Sequence, residues 1–414
     1  MKSNYKPIGD FIKRVEHRNS DLKVTKLLGL SMTKEFRETT SNIVGTDMSV
    51  YRVMSKYQFA CDFMSPIRVN KLPVVLKLDD EPNLVSPAYP VFEIEDKNKL
   101  DPEYLMMWFR RPEFDRYATF KCDAAIRGGY DWEALCETLI PVPHPTKQKE
   151  IVKEYNSIVN RIALNNQLIQ KLEETAQAIY KRWFVEFEFP NEEGKPYKSS
   201  GGAMVESELG EIPKEWEVGV LGDIVDVVNG YAFSSSDFRI TGNVPIIKIA
   251  NIVSPKIDLQ NVQFYSGEMG GTMKRYLVER GDVLISMTGS HMNQINSAVG
   301  KIGRYNYSNE AILNQRVGKL KPKLKCSEYL YRVMLQEDVQ KEILMAATGS
   351  ANQANISPET IKSVAIKKPS QNILNQFERL CKNISWSLNL YENEIRALEK
   401  MKDLLLSKLA MIEN

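Results

Sequence analysis

Two stretches carry residue types that fit a definite chemistry: Arg127-Gly128-Gly129-Tyr130-Asp131 and Gly349-Ser350-Ala351-Asn352-Gln353-Ala354-Asn355. Glycine lets a backbone approach another surface closely, while Arg, Asn and Gln carry the hydrogen-bonding groups that match guanine and adenine edges in a DNA groove. Arg127, Tyr130, Asn352, Gln353 and Asn355 are therefore candidate DNA contacts, and a polar surface turn is the alternative for both stretches. Lys319, Lys321, Lys323 and Lys325 alternate with Leu320, Pro322 and Leu324. Extended, they would set four positive charges along one face, where a phosphate backbone could run. Lysines on a protected edge strand give the same pattern for a different reason, repulsion of other strands. Lys319 and Lys321 join the candidate contacts, with Lys248 and Arg275 near strand ends.

The chemistry of catalysis is missing. No G-x-x-x-x-G-K-[ST] phosphate loop is present, no G-x-G-x-x-G follows a strand, and no Asn-Pro-Pro-aromatic or Asp-Pro-Pro-aromatic tetrapeptide occurs. Glu193-Gly194-Lys195 has the E-x-K form of a nuclease half-site, but it lies in a glycine-rich run that would not hold a carboxylate pair. His17, His144 and His291 have no neighbours that suggest a zinc site or a triad, and His291 is at most a loop contact. The five cysteines are odd in number, scattered and free of C-x-x-C spacing, so they read as reduced. With no stretch near the roughly 18 apolar residues of a membrane helix, and no apolar signal region at Met1–Lys6, a cytoplasmic location is expected. The net charge of +2 balances 55 basic against 53 acidic residues, so any DNA surface must be local.

What would position such contacts is legible in an internal repeat. Ile151, Tyr155, Ile158, Ile162, Asn165, Ile169, Leu172, Ala176, Ile179 and Trp183 fall at spacings of four and three, a heptad seam. Adding 226 to each gives Phe377, Cys381, Ile384, Leu388, Tyr391, Ile395, Leu398, Lys402, Leu405 and Leu409, and the seam persists. Each seam spans about 33 residues, on the order of 50 Å of helix. An apolar stripe of that length must be covered, and the other copy is the simplest cover. Ile158, Ile162, Asn165, Ile169 and Leu172 are thus expected to pair with Ile384, Leu388, Tyr391, Ile395 and Leu398. Asn165 and Lys402 interrupt the seam, either as tolerated defects or as residues that fix register.

The segments ahead of the helices repeat more loosely. Ile8-Gly9-Asp10-Phe11 resembles Leu221-Gly222-Asp223-Ile224, Glu103-Tyr104-Leu105 answers Glu328-Tyr329-Leu330, and Ile140–Pro145 answers Val364–Pro369. Short runs such as Val244–Ala250 and Asp282–Met287 read as strands. The expected fold class is α+β. Two mixed, strand-rich domains, residues 1–145 and 213–369, alternate with helical regions 146–188 and 370–414, and the polar run within 189–212 is a linker or exposed loop.

Arg182-Trp183-Phe184-Val185-Glu186-Phe187-Glu188-Phe189-Pro190, then Gly210-Glu211-Ile212-Pro213-Lys214-Glu215-Trp216, then Gly281–Gly289, with Leu84–Tyr89 in the first half, form an ordered set. It resembles the specificity subunits of type I restriction-modification systems over almost the whole chain, the first domain less closely than the second. The resemblance implies a non-catalytic subunit with two target-recognition domains held apart by an antiparallel helix pair with internal pseudo-two-fold symmetry. It also implies an asymmetric, bipartite double-stranded DNA target, two methyltransferase subunits along the helices, and restriction-translocase subunits recruited through them. S-adenosylmethionine, ATP and magnesium would belong to those partners and none to this chain. A specificity subunit of a methylation-only system is the main alternative, and a coiled-coil protein scaffold the other. The bases read and the spacer length are not encoded in any pattern visible here.

Overall fold

In a computed structural model that describes residues 5–39, 45–122, 130–267, 269–290, 297–350 and 353–411, the chain forms two compact units. One comprises Met1–Leu164 with Ile395–Asn414, the other Asn165–Glu394. Both contain the same sheet. In the first unit Ile12–Val15 pairs with Val91–Ile94, that strand with Gln58–Cys61, and that one with Val74–Leu76. In the second the order is Val225–Asn229, Val317–Pro322, Val283–Ser286 and Ile302–Arg304, extended by Lys256–Ile257 and Ile252–Val253. The second unit also carries a five-stranded sheet built from strands of two and three residues, among them Pro245–Ile247 and Ala311–Leu313.

Equivalent residues make equivalent bonds. Ile8 N donates to Thr138 O at 2.8 Å, and 213 and 226 residues later Leu221 N donates to Val364 O at 2.8 Å. Tyr104 Oη donates to Pro141 O and Tyr329 Oη to Lys367 O, each tying a helix to the strand that enters a long helix. Asp131 caps Trp132–Glu137 through Ala134 N, as Ser357 caps Pro358–Ser363 through Thr360 N. A Cβ at Gly9 would lie 2.8 Å from that of Cys136, and one at Gly222 would lie 3.1 Å from that of Lys362, so each opening turn can sit against its helix only with glycine.

One shared task is solved differently. Asp101 accepts from Glu103 N and Tyr104 N at the start of Pro102–Phe109. Helix Ser327–Met334 has no local cap, and Glu378 of the second long helix accepts from Glu328 N and Tyr329 N instead. Burial, opposed by these two donors, pushes the Glu378 carboxyl up to about 7.

The repeated segments form two long helices, Pro145–Tyr180, which continues as a π turn through Val185, and Gln371–Lys408. Their antiparallel packing is visible within each unit. Ile151, Val152 and Tyr155 share a core with Leu406 and Leu409 in the first; Tyr180, Trp183 and Phe184 share one with Phe377 and Cys381 in the second. Ile158, Ile169 and Leu388 are buried, while Ile162, Leu172, Ile384, Tyr391, Ile395, Leu398 and Lys402 are half-buried. Asn165 is fully buried and both polar atoms of its side chain lack a partner. Such a group costs about 1–3 kcal/mol, a penalty that a register-fixing residue can carry and an apolar seam residue would not. The polar run after the first long helix is exposed but anchored, with Phe189 stacked between Tyr197 at 4.7 Å and Trp216 at 5.4 Å.

Candidate nucleic-acid interface

The first glycine-containing stretch divides between two situations. Arg127 lies outside the described residues, as do Asn352 and His291. Tyr130 is 2% exposed, with its hydroxyl on Ala134 O and Thr138 Oγ1. It therefore serves the core and offers no surface to DNA, a correction to the sequence expectation. Asp131 is taken up as a helix cap.

The lysine row is also revised. Strand Val317–Pro322 has a neighbour on each side, so it is no edge strand, and it ends before Lys323 and Lys325. Lys319 is 14% exposed, donating to Leu277 O at 2.6 Å and lying 3.3 Å from Asp282. Lys323 meets Gly222 O and, at 3.4 Å, Asp226. Only Lys321 and Lys325 keep exposed side chains without a recorded partner, and the strand carries just the first of them. Four aligned charges are not available to a phosphate backbone here.

The second stretch forms a hairpin, Thr348–Ser350 with Gln353–Asn355, and Thr288–Gly289 adds a third strand. Gln353 is exposed and its Nε2 donates to Thr288 Oγ1 at 3.2 Å. The same Oγ1 lies 2.8 Å from Asn355 Oδ1 and 3.1 Å from Ala354 O. The hydroxyl therefore holds both amides at the end of the hairpin, leaving their outward groups to address another molecule.

Two further candidates reach the same region through packing. Arg275 is exposed on the turn Gly271–Tyr276, whose Tyr276 ring lies 5.4 Å from that of Tyr231. Tyr231 is 40% exposed and accepts from Gln315 N at 2.7 Å. The Lys248 ammonium sits 4.1 Å over Phe238 and donates to Gln263, while the neighbouring Ile247 O accepts from Asn314 N. Met287 N donates to Arg316 O and Met287 O accepts from Ile356 N, which joins the hairpin to the turn at residues 314–316. One end of the second unit thus gathers Arg275, Tyr231, Thr288, Gln353 and Asn355. Sequence reasoning missed Thr288 and Tyr231, whose only signals were a Thr-Gly step after a strand run and an aromatic after Asn229-Gly230.

Among the described residues no cluster of three or more His, Cys, Asp and Glu side chains could hold a metal ion, and no helix is long and apolar enough to cross a membrane. Residues 213–387 match the family model described as the type I restriction modification DNA specificity domain. The chain is 27% identical over 266 residues to the type I restriction enzyme MjaVIII specificity subunit of Methanocaldococcus jannaschii, covering 64% of this chain and 59% of that protein. The type I restriction enzyme HindI specificity subunit of Haemophilus influenzae is 22% identical over 381 residues, 79% of this chain and 80% of that one. The second half of this chain thus carries the specificity domain of type I restriction-modification systems, and the chain resembles that family's specificity subunits. The fold of a family member agrees: the S subunit of a type I restriction-modification system from M. genitalium superposes with a TM-score of 0.57 at 14% identity, over 99% of this chain and 96% of that one. The α+β class and the two antiparallel long helices read from the sequence are the architecture found.

Proposed function

We propose that this chain is the non-catalytic, DNA-reading specificity subunit of a type I restriction-modification complex. Residues 1–145 and 213–369 act as recognition domains, 146–188 and 370–414 as the helical scaffold, and 189–212 as the connection. Each recognition domain reads one half-site of a bipartite, asymmetric target, and the unread spacer follows from the helices between them. The observation that carries this reading is the pairing of like with unlike: backbone and tyrosine bonds recur 213 to 226 residues apart, while the loops they hold have diverged. Fixed scaffolds with varied loops are what two different half-sites require. Lys248, Arg275, Lys321, Gln353 and Asn355 belong to the DNA face of the second domain, and Arg127 and Asn352 are further DNA contacts.

Two methyltransferase subunits dock along the helices and bring restriction-translocase subunits with them. S-adenosylmethionine, ATP and magnesium are bound by these partners, and the complex works in the cytoplasm. Support comes from exposed leucines at equivalent positions, Leu164 at 45% and Leu390 at 50%, beside Trp386 at 66%. Apolar side chains this exposed on a scaffold helix suit a protein partner.

Coexpression with its methyltransferase, followed by genome-wide mapping of methylated adenines, tests the reading. A motif of two short, unlike runs flanking an unread spacer is expected. A continuous palindromic core, or no methylation, would refute it.

A further inference from the structure

The turn that centres the second unit's candidate face carries the sequence Asn314-Gln315-Arg316, which no motif had singled out. Its backbone is pinned on every side. Asn314 N donates to Ile247 O at 3.0 Å, Gln315 N to Tyr231 O at 2.7 Å, and Val317 N to Asn314 O at 3.2 Å, while Arg316 O accepts from Met287 N at 2.8 Å. Gly230 packs so tightly beneath it that a Cβ there would fall 1.9 Å from Asn314 O. Arg316 adopts φ of 69°, a left-handed conformation that glycine takes freely and arginine does not. Strain of this kind persists only where the surroundings impose it, and it is concentrated at sites that do work.

The rigidity is spent on two side chains that no described residue engages. Gln315 and Arg316 are exposed, and neither side chain has a hydrogen bond or ion pair with any described residue. One has the amide that pairs with adenine and the other the fork that pairs with guanine. Both stand between Tyr231 on one side and Met287, next to Thr288, on the other. The first unit keeps one bond of this frame, Cys61 N to Pro90 O at 3.1 Å, at the positions 226 residues earlier, while Tyr89 N bonds Ser86 O within its own turn. There the half-buried Tyr89 and Pro90 stand at the positions of Gln315 and Arg316, so neither an amide nor a guanidinium is presented. The shared frame holds different chemistry in each half.

We propose that Gln315 and Arg316 are base-reading residues that set the sequence preference of one half-site; this rests on the reading of the chain as a DNA specificity subunit. On a locked turn their backbone gives up little freedom on binding, and only the side chains remain to be ordered, which favours discrimination between bases over general adhesion.

The test maps methylated adenines in cells coexpressing the methyltransferase with the wild-type chain, with Gln315→Ala and with Arg316→Gly. Glycine keeps the φ of residue 316, so Arg316→Gly removes the guanidinium without disturbing the turn, and its melting temperature should equal or exceed that of wild type. The wild-type chain should give a two-part motif. Each variant should relax one or two neighbouring positions in a single half of it, with discrimination there falling about tenfold and the other half unchanged. Unchanged motifs in both variants would overturn the assignment and leave the two-part reading standing. So would a uniform loss of methylation at all sites with the motif intact, because that is the behaviour of phosphate contacts. A wild-type chain that yields no two-part motif would instead remove the parent reading, and this assignment with it.

Discussion

Replacing Arg304 with alanine should destabilise the second unit by about 3–5 kcal/mol, the cost of stranding one partner of a buried ion pair. Arg304 is 6% exposed at the end of strand Ile302–Arg304 and makes a two-pronged bond to Glu328, at 3.1 and 2.7 Å. Its guanidinium also lies 3.8 Å from the centre of the Tyr331 ring and 3.4 Å from Ser385 Oγ of the second long helix. Burial is the largest single influence and works against the charge, but Glu328, Tyr331 and Glu173 together hold the Arg304 pKa above its ordinary value. The neighbouring Arg332 comes within 2.6 Å of Glu173 on the first long helix, close enough for charge attraction though not aligned as a hydrogen bond. Together these groups fasten the recognition sheet to both scaffold helices within the unit. Urea unfolding of Arg304→Ala should show the loss, and replacing the pair by Met and Leu should be far milder, since no lone charge is left. A loss below about 1 kcal/mol for Arg304→Ala would show that the pair does not hold the sheet in place.

Trp386→Asp should strongly weaken capture of a methyltransferase subunit on the second long helix while leaving the fold intact. Trp386 and Leu390 stand one helical turn apart, 66% and 50% exposed, on the side of the helix away from the buried Cys381 and Leu388. An aromatic anchor of this kind contributes about 2–4 kcal/mol to an interface, roughly a 30- to 1,000-fold change in Kd. Copurification and titration calorimetry measure the effect, with circular dichroism as the check on folding. Wild-type affinity in the variant would move the docking surface elsewhere.

The scaffold was legible because heptads and a fixed offset survive in residue types alone, and the tyrosines Tyr104 and Tyr329 marked where the helices meet the sheets. The face that addresses DNA was only partly legible. Alternation placed Lys319 and Lys321 on one side of a strand but said nothing of Asp282, a distant residue that pairs with the first of them. Gly128-Gly129-Tyr130 read as a loop, yet the ring of Tyr130 is drawn into the core by Phe63 and Phe114. The turn at 314–316 left no trace, because it contains neither Gly nor Pro and its left-handed residue is an arginine. Of the five-stranded sheet only Pro245–Ile247 was legible, within the run Val244–Ala250, because its other strands of two or three residues are too short to show a period.

The most direct measurement is exchange of residues 1–145 for the corresponding domain of another specificity subunit, followed by mapping of methylated adenines. If each unit reads one half-site, one half of the motif changes to that of the donor, and the other half keeps its sequence. Change in both halves, or in neither, would contradict a chain whose two ends read DNA independently.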